Sequence, residues 1–156
     1  MRKLWIGSAI LAGMLATGCA MTPAEPAMPM AHADAKMPAM PAMKHYHAML
    51  AAEGPSATAG TGMGMFMFEP STHTLTYDVT FSNLTGPAVA AHIHGPVAEG
   101  GKGPPVVPFP SAASPIKGTA TLTDAQAADL AAGKYYVNIH TAANPGGEIR
   151  GTIKPE

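Results

Sequence analysis

From about residue 44 onward, apolar and polar positions alternate with a period of two. Over residues 45–52, Tyr46, Ala48 and Leu50 fall on one face, and His45, His47 and Met49 on the other. Over residues 61–68, Phe66 and Phe68 take the apolar face, which leaves Met63, Met65 and Met67 outward. Residues 74–81 repeat the pattern with Leu75, Tyr77, Val79 and Phe81. Such alternation predicts half-buried strands, here with residues 69–73 as the turn between the second and third. Further short strands are expected at residues 89–94, 106–109, 116–122, 135–141 and 147–153, with a Gly/Pro-rich loop at 95–105. One segment reads as helix, residues 123–132. Thr123 and Gln126 make a capping box at its start, and Gly133 stops it. About eight short strands and one short helix predict an all-β fold, an antiparallel β-sandwich or barrel.

The first 43 residues read differently. Arg2 and Lys3 precede an uncharged apolar run of about a dozen residues, which suits a signal peptide and is too short to span a bilayer. Ala16, Thr17 and Gly18 then lead into Cys19, the only cysteine. This resembles a lipobox, with its usual Leu one place early at Leu15; an ordinary secretory signal with an incidental cysteine is the other reading. The expectation is a signal peptide over 1–18, lipidation of Cys19, and a Met/Pro/Ala-rich tether over 19–43, leaving residues 44–156 as the folded domain. A lone thiol makes no intrachain disulfide, so the domain folds without one. The second mature position, directly after Cys19, is not Asp, which points to the outer membrane if Gram-negative lipoprotein sorting applies. The protein would then face the periplasm or the cell surface.

Charge excludes more than it assigns. Without residues 1–18, seven basic and ten acidic side chains remain, and no basic patch or amphipathic basic helix argues for nucleic acid or a second membrane contact. The tether's methionines, Met21, Met28, Met30, Met37, Met40 and Met43, accompany His32. Thioether sulfur suits Cu(I) better than Zn or Mg; compositional drift in an Ala/Pro linker is the alternative.

The densest chemistry is histidine. His92 and His94 stand two apart on one strand, so both rings share a face roughly 7 Å apart along the strand. His140 shares a face with Asn138 and Tyr136 on another. If those strands are neighbours the three imidazoles converge, and an H-x-H pair with a distant His is a recurrent ligand set for copper or zinc. The competing reading is structural, with the histidines hydrogen-bonding loop carbonyls. Glu148 and Asn138 are candidate hydrogen-bond acceptors behind a ligand histidine; for Glu148, a surface pairing with Arg150 or Lys134 is equally open.

The first hairpin carries a second candidate. Pairing Ala52 with Gly60 sets Met49 opposite Met63, His47 opposite Met65 and His45 opposite Met67. That makes an exposed stripe of thioethers and imidazoles suited to Cu(I) or Ag(I). A one-residue slip would undo it, and the same face could instead pack under the tether or another subunit.

Three segments carry a family resemblance: Ala91-His92-Ile93-His94-Gly95-Pro96; Gly118 to Thr123; and Tyr136-Val137-Asn138-Ile139-His140-Thr141 followed by Gly146-Gly147-Glu148-Ile149-Arg150-Gly151. Together and in this order they resemble a chordin-type (CHRD) domain over about residues 44–154. The resemblance implies an immunoglobulin-like β-sandwich of exported bacterial proteins and no settled activity. Growth-factor binding by the eukaryotic relative is not carried over. The His-x-His strand is also similar to that of copper/zinc superoxide dismutases. The second ligand set and the zinc loop are missing here, which argues against dismutation. No serine lies in a nucleophile elbow, and there is no phosphate loop or dinucleotide fingerprint. Two functions from different classes follow. One is an exported, lipid-anchored copper- (or zinc-) binding protein for buffering, carriage or tolerance, with an envelope metal donor or acceptor as partner. The other is a metal-free structural or protein-binding envelope module.

Overall fold

A computed structural model describes residues 42–54 and 58–156. Cys19, His32 and the tether methionines up to Met40, together with the expected signal peptide, lie outside the described residues.

The described chain runs β1 (Lys44–Ala52), β2 (Thr61–Glu69), β3 (Thr74–Ser82), β4 (Ala88–His94), β5 (Pro105–Pro108), β6 (Ile116–Thr121), α1 (Asp124–Ala131), β7 (Tyr136–Thr141), β8 (Ile149–Thr152) and β9 (Lys154–Pro155). Every strand pairing is antiparallel, in the order β5-β4-β7-β8-β1-β2-β3-β6, with β9 beside β1. Strand β1 serves both halves of this all-β sandwich: residues 44–50 pair with β2, and Ala51 and Ala52 pair with β8. The expected strands all form, with ends moved by a residue or two. The last one is shorter than expected: Gly147 and Glu148 are loop and β8 stops at Thr152. A further two-residue strand that the alternation did not predict, β9, follows Ile153, which is fully buried.

Period two decides what lies inside. Tyr46, Ala48 and Leu50 of β1, Phe66 and Phe68 of β2, and Leu75, Tyr77 and Val79 of β3 meet Ile93, Val137, Ile139 and Ile149 from the other half. Each such Val, Leu, Ile or Phe side chain contributes roughly 1.5–3 kcal/mol by leaving water. The helix adds Leu130, its one fully buried residue.

Both ends of α1 are closed as expected. Thr123 Oγ1 accepts from the Gln126 amide, and Gln126 Oε1 accepts from the Thr123 amide. At the other end Gly133 (φ 67°) donates to the Leu130 carbonyl, and Lys134 donates to that of Asp129. Thr123→Ala is expected to cost about 1 kcal/mol in urea denaturation, with the slope of the transition unchanged.

Candidate metal centre

Strands β4 and β7 are neighbours, with His92 opposite Asn138, His94 opposite Tyr136 and Ala90 opposite His140. His140 is therefore diagonal to His92 on the outward face, while Ile93, Val137 and Ile139 fill the core. Ring centroids stand 5.3 Å apart for His92–His94, 5.3 Å for His92–His140 and 5.7 Å for His94–His140. One ring nitrogen from each lies within 4.8 Å of the others. His92 Nδ1 and His140 Nε2 are 3.4 Å apart. Two imidazoles bound about 2.0–2.1 Å from a tetrahedral ion have nitrogens roughly 3.3–3.4 Å apart, so this pair already has ligand spacing.

Two of the rings are oriented by backbone. His94 Nδ1 lies 3.0 Å from the Gly103 carbonyl, and His140 Nδ1 lies 3.0 Å from that of Pro145. A carbonyl can only accept, so each Nδ1 carries a proton, and in the neutral ring Nε2 is then the atom with the lone pair. His94 Nε2 is buried and has no hydrogen-bond partner among the described residues. Backbone-anchored Nδ1–H with Nε2 left for the ion is the usual arrangement of metal-binding histidine.

The electrostatics favour neutral rings at His92 and His94. Burial lowers the His92 pKa below its ordinary value, and the neighbouring His140 and His94 lower it further. Burial also lowers that of His94; the Gly103 carbonyl and Glu53 oppose this, and His140 and Arg150 add to it. Neutral imidazole is the ligating form.

One side of the site is a stack of rings. Tyr136 lies against His94 with ring centroids 5.2 Å apart and planes 15° from parallel, and the Arg150 guanidinium sits 3.6 Å from the Tyr136 ring centroid. Arg150 donates to the Gly101 carbonyl at 2.7 Å and lies 3.5 Å from Glu53, while the Gly103 amide donates to the Tyr136 hydroxyl. Period two puts Tyr136 on the His140 face, but nothing in the sequence marks the stack or the part played by Glu53.

Glu148 is the main correction to the expected site. It is neither at the surface nor hydrogen-bonded to a ligand histidine; it is fully buried. Its carboxylate accepts from the hydroxyls of Thr58, Thr85 and Thr141, from the Thr85 amide and from the Asn144 side chain. Burial alone would raise its pKa. The bonds from Thr141, Thr85 and Thr58 more than reverse this and hold it at about 2. Glu148 thus ties four segments together, among them the 142–147 loop whose Pro145 carbonyl orients His140. Arg150, one of the partners left open for it, is engaged with Tyr136, Gly101 and Glu53 instead. Asn138 is buried beside the histidines, its Nδ2 donating to the Gly146 carbonyl at 3.5 Å.

Two glycines let the loops close over this face. Gly95 has φ 140°, and a Cβ there would sit 2.6 Å from the Lys134 carbonyl oxygen. Gly147 has φ 121°, and a Cβ there would collide with Glu53 and Asn138. The hairpin candidate also has its expected register, with Met49 opposite Met63, His47 opposite Met65 and His45 opposite Met67. His73, in the turn between β2 and β3, stacks on Phe68 and lies 3.4 Å from Asp124.

The architecture and this face define an antiparallel β-sandwich with a three-histidine cluster under two loops. Residues 46–153 match the family model of the CHRD domain, and the chain belongs to that family. No curated protein and no solved structure matches it.

Proposed function

We propose that this CHRD domain is a metal-binding module, with His92, His94 and His140 holding one copper ion, and that it buffers, carries or detoxifies copper at the cell envelope. The observation that carries this reading is the convergence of three ring nitrogens within 4.8 Å, with the Nδ1 protons of His94 and His140 committed to backbone carbonyls. An all-imidazole set suits copper and zinc, and Cu(II) stands at the top of the divalent affinity order. Three protein ligands leave a coordination position for water or for a ligand from a partner, as exchange with a metal donor or acceptor requires. Export and anchoring through an acylated Cys19, with the outer membrane as the destination, belong to the same proposal and rest on the N-terminal sequence.

The alternative, a metal-free envelope module, has the same two carbonyl bonds in its favour, since they also fasten the loops to the sheet. Metal content and Cu(II) and Zn(II) affinity should be measured on the protein and on a variant with His92, His94 and His140 all changed to Ala. The expected result is about one tightly held copper per chain, lost in the variant while the β-sheet circular dichroism is retained. No binding above background in the parent, together with unfolding of the variant, would make the histidines structural.

A further inference from the structure

The outward face of the β1–β2 hairpin offers donors of a softer kind than the three-histidine centre. Met49, Met63, Met65 and Met67 are 67%, 44%, 57% and 40% exposed, although Phe66, Phe68, Tyr46 and Leu50 on the inward face already fill the core. The register makes three successive rungs: Met49 with Met63, Met65 with His47, and Met67 with His45. Drift in composition does not explain the placement, because the same outward face changes character one strand further on. Strand β3 puts Thr76, Asp78 and Thr80 opposite Met67, Met65 and Met63, and β6 follows with Lys117 and Thr119. Threonine is the better strand former and keeps an exposed sheet soluble; methionine there adds apolar surface without core burial.

We infer that this hairpin face is a second metal site, separate from the three-histidine centre and selective for soft monovalent ions, Cu(I) or Ag(I). Directly opposed residues have Cβ atoms about 4.5–5.5 Å apart. From that distance two flexible thioethers, or a thioether and an imidazole, reach one ion by rotamer changes alone. The donors are sulfur and imidazole nitrogen, a set that favours Cu(I). The carboxylates near the stripe, Asp78 and Glu99, are paired with Lys117 at 2.6 Å and Lys154 at 3.3 Å, so a hard cation finds no oxygen cage among the described residues. Within the sheet β8 lies between the strands of the two sites, so each can be removed without touching the other.

The test uses the full chain carrying His92→Ala, His94→Ala and His140→Ala, which takes the first centre out of the reading. Silver nitrate is titrated in chloride-free buffer while the methionine methyl signals are followed by NMR. The methyls of Met49, Met63, Met65 and Met67 are expected to shift together and saturate. Adding Met→Leu at those four positions is expected to remove about one equivalent of Ag(I) uptake and to weaken Cu(I), measured against a competing chelator, by at least about tenfold. Residues 19–43 are the same in both proteins, so the difference reports the hairpin. If the fourfold change disturbs the circular dichroism, Met65→Leu alone should still weaken the response of its neighbours. Stripe methyls that do not move, or Ag(I) uptake unchanged by the Leu substitutions, would overturn the site and leave the face to a protein contact.

Discussion

Glu148→Ala is expected to be among the most destabilising single changes in the domain, costing about 3–5 kcal/mol in chemical denaturation. The reason is what remains behind. The Thr58, Thr85 and Thr141 hydroxyls, the Thr85 amide and the Asn144 amide group would all lose one buried acceptor at once. The buried Thr141 hydroxyl would carry a full desolvation cost, while half-buried Thr58 and Asn144 and the more exposed Thr85 would lose the anchor that holds their segments together. Glu148→Gln should cost less, since its remaining oxygen can serve the Thr85 amide while rotatable hydroxyls accept from its NH2. The 142–147 loop depends on the same carboxylate, so surviving Glu148→Ala protein should also hold metal roughly 10–100-fold more weakly, through loss of the Pro145 grip on His140. A variant within about 1 kcal/mol of the parent would show that the carboxylate does not carry the loops.

The same group predicts an acid limb. Its pKa is about 2 in the folded protein against an ordinary 4.5, so the unfolded chain takes up the proton first as pH falls. Its stabilising contribution is complete above pH 4.5, declines below it and is gone near pH 2. Glu148→Gln should flatten that part of the stability-against-pH curve, as read by denaturation midpoints from pH 6 downward.

The second large effect is stabilisation by metal. Free copper at about a hundred times its dissociation constant should add about 2.7 kcal/mol of stability. The gain should vanish when His92, His94 and His140 are all Ala. Its pH dependence has a defined sign. The folded pKa values of His92 and His94 lie below the ordinary 6.5, so the unfolded chain binds protons first. The metal-free protein therefore loses stability as pH falls below 6.5, and the contribution is gone once pH passes the lowered pKa values. Because those rings resist protonation, copper should remain bound somewhat below pH 6.5 before protons displace it. Thermal melts with and without copper at stepped pH values would measure this. Equal shifts in the parent and the triple variant would place the bound metal elsewhere.

Where sequence reading succeeded, it did so because the information is local. Alternation assigns each side chain of a strand to a face, so the inward Tyr46, Phe66, Val79 and Ile139 could be named beforehand, as could the outward methionines. The hairpin register followed from the same rule, because a slip of one residue would bring Met65 into the core and expose Phe66. Thr123, Gln126 and Gly133 marked the helix ends because capping is a contact between residues a few positions apart.

Tertiary structure decided the rest. His92 and His140 lie 48 positions apart, and only the sheet order that makes β4 and β7 neighbours brings their rings together. No periodicity specifies which distant strand will be adjacent; joint burial of both halves of the sandwich does. The carbonyls of Gly103 and Pro145 point where their loops turn them, and a backbone oxygen leaves no mark in a sequence. Glu148 reads equally as a surface charge or as an acceptor behind a ligand histidine, because those are the usual places for a carboxylate beside a histidine cluster. It lies inside because three threonines and a backbone amide, from segments up to 90 residues away, supply together what water would otherwise provide.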